Sequence, residues 1–398
     1  MRPDGGAAGP ARPPAPGGDP IAARRDALAT GTEPGGRPAA VRDIRLCLLG
    51  FGNVARALCE LLARQESALA ERHGLRVLIS AAGTRRGSFL APGGVSSREL
   101  LAAAPGGRLP QAPRPAADLL AASGADVLAE LTVMESGGAP AAAAHLEAAF
   151  ALGMDAVTAN TGPIAWEWQR VSAAAAAAGR RVRFESTVMD GLPVFSLLEL
   201  ALPDCHLLGF EAVFNATTNV IVETMAAGGS FDEALARAQA GGYAEADPAH
   251  DVDGWDAACK AAALANVAMQ ADLTPAQVAR ESLREVAPGR MTAARAAGRR
   301  LRMLTSVWRD EAGPAAPAGP ADPAAGPARP PGSSPVRARV RAEDLDIDHP
   351  LASLTGESLG VVLHTDLMGD VVVCERHALL PQTAYGVYAD LLHLCRTT

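Results

Sequence analysis

Lys260, the only lysine in the chain, is the residue from which chemistry can first be argued. The 398-residue sequence has 36 Lys+Arg, and every other one of them is arginine. An arginine stays protonated in a protein, whereas the amine of a lysine can be tuned to release its proton. A single lysine among acids therefore indicates a general acid or base. The count alone is equally compatible with an ordinary surface lysine in an arginine-rich composition.

The spacing around this lysine favours the chemical interpretation. Residues 241–260 read GGYAEADPAHDVDGWDAACK, in which glycines and a proline predict a loop and the Ala-rich end predicts the start of a helix. Asp256 and Lys260 are four residues apart and would share one helix face. Glu245 and Asp251 lie on the loop that leads into this helix. The alternative is an acidic loop beside a surface ion pair worth a few tenths of a kcal/mol.

A Gly-rich turn near residue 50 predicts a nucleotide site. The apolar run 44–49 is followed by GFGNVA and then by a helical pattern, which gives G-x-G-x-x-A between a strand and a helix. Gly50 would permit the tight turn, Gly52 the approach to a pyrophosphate, and Ala55 the packing of the helix on its strand. The first N–H groups of the helix would face the anion.

The end of the second predicted strand, residues 76–83, bears on the choice of cofactor. A site selective for NAD usually has an acid there for the ribose hydroxyl. This chain instead has Thr84-Arg85-Arg86, with two guanidinium groups suited to a 2′-phosphate. The pattern favours NADP over NAD, and the alternative is that both arginines are solvated turn residues.

The elements that must position these residues fall into two patterns. Strands at 126–131 and 155–159 alternate with helices at 139–152 and 166–179, which predicts an α/β doubly wound parallel sheet. Thr132, Asn160 and Thr161 follow strands of that sheet, at the edge where ligands bind. Further strands are predicted among separate helices, and helical segments are predicted to continue after Lys260 to about residue 286. These strands indicate an α+β domain: 181–188, 206–213, 296–308, 336–348 and 359–365.

These patterns predict the following division of the chain. Residues 1–42 form a disordered tail, and residues 43–170 a dinucleotide-binding domain. Residues 171–380 form an α+β substrate and dimerisation domain, with a disordered insertion at 312–335. Residues 381–398 form a helix that packs back on the nucleotide domain.

Composition argues against several classes of function. The net charge is −8 and no basic patch is interleaved with aromatics, so nucleic acid is not expected as a partner. No apolar run is long enough for a membrane span. The six cysteines are scattered without a CxxC pair, and no HExxH occurs, which argues against zinc and disulfides and predicts a cytoplasmic protein.

Taken together, the chain resembles homoserine dehydrogenases over residues 43–395. The matching motifs are GFGNVA, VTAN-x-GP, FESTVMDGLPVF, NATTN, GYAEADP…DV-x-G-x-DAA-x-K, HPLA and PQTA. The resemblance implies a Rossmann domain and an α+β domain that forms a homodimer through its sheet. It also implies NAD(P)-linked interconversion of L-homoserine and L-aspartate 4-semialdehyde.

The resemblance also implies roles for individual residues. Lys260 would be catalytic with Asp256 beside it, and Glu245 would bind the substrate's ammonium group near Asp251 and Asp256. The full predicted cofactor set is Gly50, Gly52, Asn53, Val54, Ala55, Thr84, Arg85, Thr132, Asn160 and Thr161. Some members bind Na⁺ or K⁺, for which the ligands would be Glu185 and the backbone carbonyls of Val188, Asp190 and Leu192.

Two departures keep other hypotheses open. The family commonly has lysine in TAN-K-GP where this chain has Thr161, and CERHALLPQTA stands in place of a late Gly-rich motif. A related oxidoreductase acting on another small amino or hydroxy aldehyde or alcohol is one alternative. A non-catalytic NADP-binding homologue is the other. Whether burial or the neighbouring carboxylates dominate the pKa of Lys260 is open at this point.

Overall fold

The computed structural model describes residues 41–135, 137–241, 244, 247–310, 335–376 and 378–396. Nearly all of the predicted tail and insertion, and Glu245, lie outside these ranges. The described residues divide into two compact units, one of residues 41–43 and 65–76 and the other of the described residues in 44–64 and 77–396.

The described part of the smaller unit is held together by backbone and charge. The Arg42 N–H donates to the Gly74 carbonyl at 2.8 Å. The Arg76 guanidinium donates to both carboxylate oxygens of Asp43, at 2.7 and 2.8 Å. Because this ion pair is exposed, it contributes little to the free energy of unfolding.

The first sheet is the predicted parallel one, with an added edge strand. Its strands are β1 (Arg42–Leu49), β2 (Leu75–Thr84), β3 (Gly87–Val95), β4 (Val127–Glu130), β5 (Asp155–Thr158) and β6 (Val182–Arg183). They lie in the order β3-β2-β1-β4-β5-β6, and β1, β4, β5 and β6 run parallel. The antiparallel strand β3 was not predicted, because its proline and glycines are unfavourable in strands other than edge strands.

The helices of this part of the chain supply a small-residue core. They are α1 (Asn53–His73), α2 (Ser97–Ala103), α3 (Ala116–Ser123), α4 (Pro140–Ala151), α5 (Thr161–Trp166) and α6 (Trp168–Ala178). Leu146 and Phe150 of α4 are buried in one cluster with Leu128 of β4 and Ala156 of β5. Alanines on the same helix let it lie close to the sheet, which fixes the strand ends that carry polar residues.

The second sheet is the core of the predicted α+β domain. Its strands are β7 (Leu207–Val213), β8 (Ala279–Arg280), β9 (Arg299–Arg309), β10 (Val336–Asp346), β11 (Leu359–Thr365) and β12 (Gly369–Glu375). The order is β12-β11-β7-β9-β10-β8, with antiparallel pairing apart from β8 on β10. The strand β12 was not predicted.

Seven further helices of the described residues follow in the chain, and the last of them returns to the first sheet. They are α7 (Val194–Leu200), α8 (Ala216–Ala226), α9 (Phe231–Ala240), α10 (Ala249–Val252), α11 (Trp255–Met269), α12 (Pro288–Ala296) and α13 (Leu380–Arg396). Most residues of α11 are buried, and most of the buried ones are alanines. The helix packs along α5. The side-chain amide of Asn266 donates to the Ile164 carbonyl at 3.2 Å and joins the two helices.

Two sequence predictions of secondary structure are wrong. The predicted strand 181–188 is a strand only at Val182–Arg183 and then turns into a 3₁₀ helix at Glu185–Thr187. The turn forms because the Glu185 N–H donates to Asp390 on α13 instead of to a neighbouring strand. The helices predicted up to residue 286 are 3₁₀ turns at Pro275–Gln277 and Leu283–Glu285 around the short strand β8.

The return of the C-terminal helix to the first sheet is confirmed. The helix α13 packs against β5, β6 and the Glu185–Thr187 turn. The guanidinium of Arg181 donates to the Leu394 carbonyl at 2.8 Å. At Gly386 a β-carbon would lie 2.2 Å from Ser186 Oγ, so glycine is required for this close approach.

In the described ranges, no helix has both the length and the apolar character needed to cross a bilayer.

Candidate active site

The Lys260 amine is held where α11 meets the end of β7. Its Nζ donates to the Phe214 carbonyl at 2.9 Å and lies 3.0 Å from Asp256 Oδ2. The predicted pairing on one helix face is present, and both side chains are only 19% exposed. The amine is therefore fixed in position and shielded from most of the solvent.

Asn215 completes this arrangement and was not predicted as a site residue. Its side-chain N–H groups donate to Asp251 Oδ1 and to Asp256 Oδ2, both at 2.8 Å. Its Oδ1 accepts from the Thr218 N–H at 2.8 Å, which caps α8. The NATTN sequence directly after a strand was the available signal, because asparagine at the start of a helix is typical of a cap.

The charges and burial of the cluster together determine the direction in which the pKa of Lys260 shifts. Burial favours the neutral amine, but the carboxylates of Asp256, Asp190 and Asp251 together outweigh it and raise the pKa of Lys260. Burial, followed by the charge of Asp256, raises the pKa of the Asp251 carboxyl. Lys260 is thus an ammonium at neutral pH.

The same acids could be considered as metal ligands. His250, Asp251 and Asp256 each place one ligand atom within 4.8 Å of the other two. Asn215 and Lys260 already satisfy both carboxylates, so a metal is not required to explain the cluster. Glu245, the predicted partner of the substrate's ammonium, lies outside the described residues.

The turn after β1 has the backbone that a dinucleotide needs. Gly50 has φ +91°, and a β-carbon there would lie 2.3 Å from the Leu131 carbonyl oxygen. A β-carbon on Gly52 would meet nothing within 4 Å, which leaves space for a pyrophosphate. Asn53 and Val54 begin α1, and Ala55, in the first turn of the same helix, is buried. These residues fit the group, and they would hold it by backbone N–H contacts.

The residues at the end of β2 form a hairpin. Thr84 Oγ1 accepts from the Arg86 and Gly87 N–H groups at 3.2 and 3.1 Å, so this hydroxyl shapes the turn to β3. Arg85 and Arg86 are exposed at the turn, next to the strand end where the adenosine ribose binds in such folds.

The predicted residues after β4 and β5 are connected to one another. Asn160 Nδ2 donates to Thr132 Oγ1 at 3.2 Å, and Asn160 Oδ1 accepts from the Gly162 N–H at 2.9 Å. Thr132 Oγ1 in turn donates to Glu130, a buried acid that was not predicted. The Thr161 hydroxyl donates to the Thr187 carbonyl at 2.6 Å, so it joins α5 to the Glu185–Thr187 turn.

Two of the four predicted cation ligands, Glu185 and the Leu192 carbonyl, are engaged in other contacts. Glu185 Oε1 accepts from the Phe195 N–H at 2.8 Å and Oε2 from the Ser196 N–H at 2.9 Å, which caps α7. Burial raises the pKa of the Glu185 carboxyl. The Leu192 carbonyl accepts from the Val194 N–H at 2.8 Å. Glu185 and the Leu192 carbonyl would have to share these contacts with a Na⁺ or K⁺ ion, and the cation stays a prediction.

A Gly-rich strand–turn–helix and a buried amine with paired acids define a class. The first fits a nicotinamide dinucleotide, and the second places an ammonium group on α11, the helix that packs along α5. The fold and site are those of an NAD(P)-dependent oxidoreductase.

Comparison with known proteins gives the family. Residues 193–392 match the family model described as homoserine dehydrogenase, and residues 50–185 match that of the homoserine dehydrogenase NAD binding domain. The NAD(+)-dependent homoserine dehydrogenase of Pseudomonas canavaninivorans is 30% identical over 364 residues, which cover 88% of this chain and 96% of the relative. The chain belongs to the homoserine dehydrogenase family.

Solved structures agree with this assignment. A homoserine dehydrogenase from Thiobacillus denitrificans has a TM-score of 0.74 at 26% identity, covering 90% of this chain and 74% of that one. A hyperthermophilic archaeal homoserine dehydrogenase in complex with NADPH has a TM-score of 0.71 at 23% identity, covering 90% and 99%. The second likeness establishes the fold alone.

Proposed function

We propose that the chain interconverts L-homoserine and L-aspartate 4-semialdehyde with NAD(P), and that Lys260 is the general acid and base. The observation that carries this proposal is the amine of the only lysine, held by Asp256 and the Phe214 carbonyl on a helix that packs along α5. The cofactor, when bound, supplies or accepts the hydride.

In the reducing direction, the Lys260 ammonium donates a proton to the aldehyde oxygen and Asp256 keeps the amine in place. In the oxidising direction, the amine must first lose its proton to accept one from the hydroxyl. The three carboxylates that raise the pKa of Lys260 oppose that loss. We therefore propose that reduction is favoured at neutral pH, with Glu245 binding the substrate's ammonium and Asp251 beside it.

NADP is the cofactor we propose in preference to NAD. The exposed guanidinium groups of Arg85 and Arg86 suit a 2′-phosphate, and no acid follows β2. One relative is named as NAD(+)-dependent, whereas a structural neighbour is described with NADPH. Comparing the dissociation constants of NADP⁺ and NAD⁺ for the full chain tests this choice directly.

We also propose a cytoplasmic homodimer that serves threonine and methionine biosynthesis. Each of the six cysteines is a free thiol in the structure, as expected for a reducing compartment. Four buried polar atoms on one face of the second sheet have no hydrogen-bond partner among the described residues, which supports a second copy covering that face. They are Ser306 Oγ, Trp308 Nε1, Arg339 Nε and His364 Nε2.

The test of the activity is reduction of NADP⁺ by L-homoserine, compared with a panel of other amino alcohols. Lys260→Ala should lower turnover roughly 100- to 10,000-fold without changing cofactor affinity. Lys260→Arg is the matched control, since it keeps the positive charge but cannot release a proton. Near-normal turnover by the arginine variant would exclude Lys260 as the proton carrier.

Thr161 favours a second candidate, an oxidoreductase of the same fold with another small amino or hydroxy substrate. Its hydroxyl is committed to the Thr187 carbonyl, where relatives commonly have a lysine. If the substrate is homoserine, Thr161→Lys should raise kcat/KM for it. Preference for another alcohol in the panel, unchanged by Thr161→Lys, would favour the second candidate, and no turnover of any would favour a non-catalytic binder.

A further inference from the structure

Glu130 is a buried acid with no role in the chemistry described so far. It is the last residue of β4 and is 0% exposed. Its register partners are Leu49, the residue before the Gly50 turn, and Thr158, the last residue of β5. Glu130 therefore lies at the carboxyl edge of three parallel strands, at the point where the strand order reverses and dinucleotides bind.

The carboxylate has a defined set of donors. Oε1 accepts from the Thr132 hydroxyl and lies 3.4 Å from His145 Nδ1, and Oε2 accepts from the Thr158 hydroxyl at 3.4 Å. Among the described residues, His145 is the ionisable side chain that pairs with this carboxylate. Burying a carboxylate is unfavourable unless it is hydrogen-bonded, and these contacts meet that need only in part.

The contacts continue from Glu130 to the surface of the crevice. Thr132 accepts from Asn160, which also caps α5, the helix along which α11 packs. A change at Glu130 would thus alter two side chains at the strand ends without touching the Lys260 cluster.

We propose that Glu130 is a positioning residue that orients Thr132 and Asn160 toward the nicotinamide half of the cofactor and makes the crevice favour its oxidised form. The inference depends on the proposed dinucleotide site. The oxidised nicotinamide ring carries a positive charge and the reduced ring is neutral. A fixed anion beneath the crevice therefore stabilises one form and not the other, because Coulomb attraction is strong where water is excluded.

The test measures dissociation constants of the full chain for NADP⁺ and NADPH, with NAD⁺ and NADH in parallel and no substrate present. Glu130→Gln keeps the shape and the acceptor for Thr132 but removes the charge. The substitution should weaken binding of the oxidised cofactor roughly three- to tenfold more than binding of the reduced one, as expected for loss of a unit charge several ångströms away. Glu147→Gln, which removes the same charge at the Arg170 ion pair on the surface of α4, should leave the ratio unchanged.

Thr132→Val separates orientation from charge. It should weaken both forms of the cofactor by a similar factor, because the carboxylate remains while its link to the crevice is lost. If Glu130→Gln does not fold, as judged by thermal unfolding, Thr132→Val alone decides the test. Unchanged cofactor affinities in Thr132→Val would then overturn the proposal. An unchanged ratio in folded Glu130→Gln also overturns it. A wild-type chain that binds none of the four dinucleotides would instead overturn the proposed function, and this inference with it.

Discussion

At the scale of single residues, the site is an ammonium surrounded by oxygens. The Phe214 carbonyl and Asp256 contact Lys260 directly, and Asp190 and Asp251 act on it from further away. A raised lysine pKa is the opposite of what an efficient base needs, so this residue is better suited to donating a proton than to accepting one. These neighbouring groups therefore favour the protonated form of the amine at neutral pH.

The pH dependence of the two directions should differ accordingly. We expect kcat/KM for alcohol oxidation to rise by about tenfold per pH unit from pH 7 through pH 9, because the amine must be neutral and its pKa lies above the ordinary value. Aldehyde reduction should stay flat over the same range, because the ammonium persists. Stopped-time assays in both directions would measure this. An oxidation rate that levels off below pH 8 would contradict it.

Asn215 should matter because it is the shared donor of two acids. Asn215→Ala leaves Asp251 and Asp256 facing each other without it, and we expect kcat/KM to fall roughly 10- to 100-fold, as for loss of hydrogen bonds to charged groups. Asn219→Ala is the matched control from the same motif, since its amide bonds to the Gly356 carbonyl. That variant should lose stability but keep its turnover per folded molecule.

At the scale of elements, the docking of α13 on the Glu185 turn joins the end of the chain to the first sheet. Asp390 Oδ2 accepts from the Glu185 N–H at 2.7 Å. Burial raises the pKa of the Asp390 carboxyl to about 7. The native state therefore holds a proton on this group up to about pH 7, whereas the unfolded chain releases it near pH 4.

Stability should follow from that difference. Because the native pKa is raised, the contribution of Asp390 to the free energy of unfolding is largest below about pH 4 and is lost as pH rises to about 7. Relative to wild type, Asp390→Asn should gain roughly 2–3 kcal/mol in free energy of unfolding between pH 5 and pH 8. Urea unfolding of both chains at the two pH values would test it. A difference that does not change with pH would show that Asp390 is ionised throughout.

Local patterns were sufficient for elements whose partners lie close in sequence. The Gly50 turn, its flanking strand and helix, and the Asp256–Lys260 pair depend on spacing within a few residues. The Glu185 turn depends on Asp390, which lies 205 residues away, and Asn215 meets Asp251 only after β7 and α10 converge. Spacing along the chain carries no information on such contacts, and the resemblance to relatives pointed to the segments but not to the bonds.

At the scale of the whole molecule, the second sheet has two unlike faces. Strand alternation places Phe210, Met303 and Val361 in the core beneath the helices. The opposite face carries Trp308, stacked on His364 with ring centroids 4.4 Å apart, and a β-carbon on Gly209 would lie 2.5 Å from the Trp308 ring. Because residue 209 is glycine, the indole of Trp308 can lie flat across β7. This face of the sheet is therefore flat enough to pack against another protein surface.

The unpartnered polar atoms on that face lead to the last prediction. Buried donors without acceptors are unfavourable, so we expect a second copy of the chain to supply the missing acceptors. The chain should then sediment as a dimer at micromolar concentration. Arg339→Glu should shift the equilibrium toward one copy, because it adds a carboxylate on the face that already carries Glu211 and Glu343. Arg170→Glu, on α6 of the first sheet, is the control and should leave the mass unchanged. A wild-type chain that sediments as one copy at all concentrations would contradict the role of this face, because its buried donors would then have to be satisfied by water.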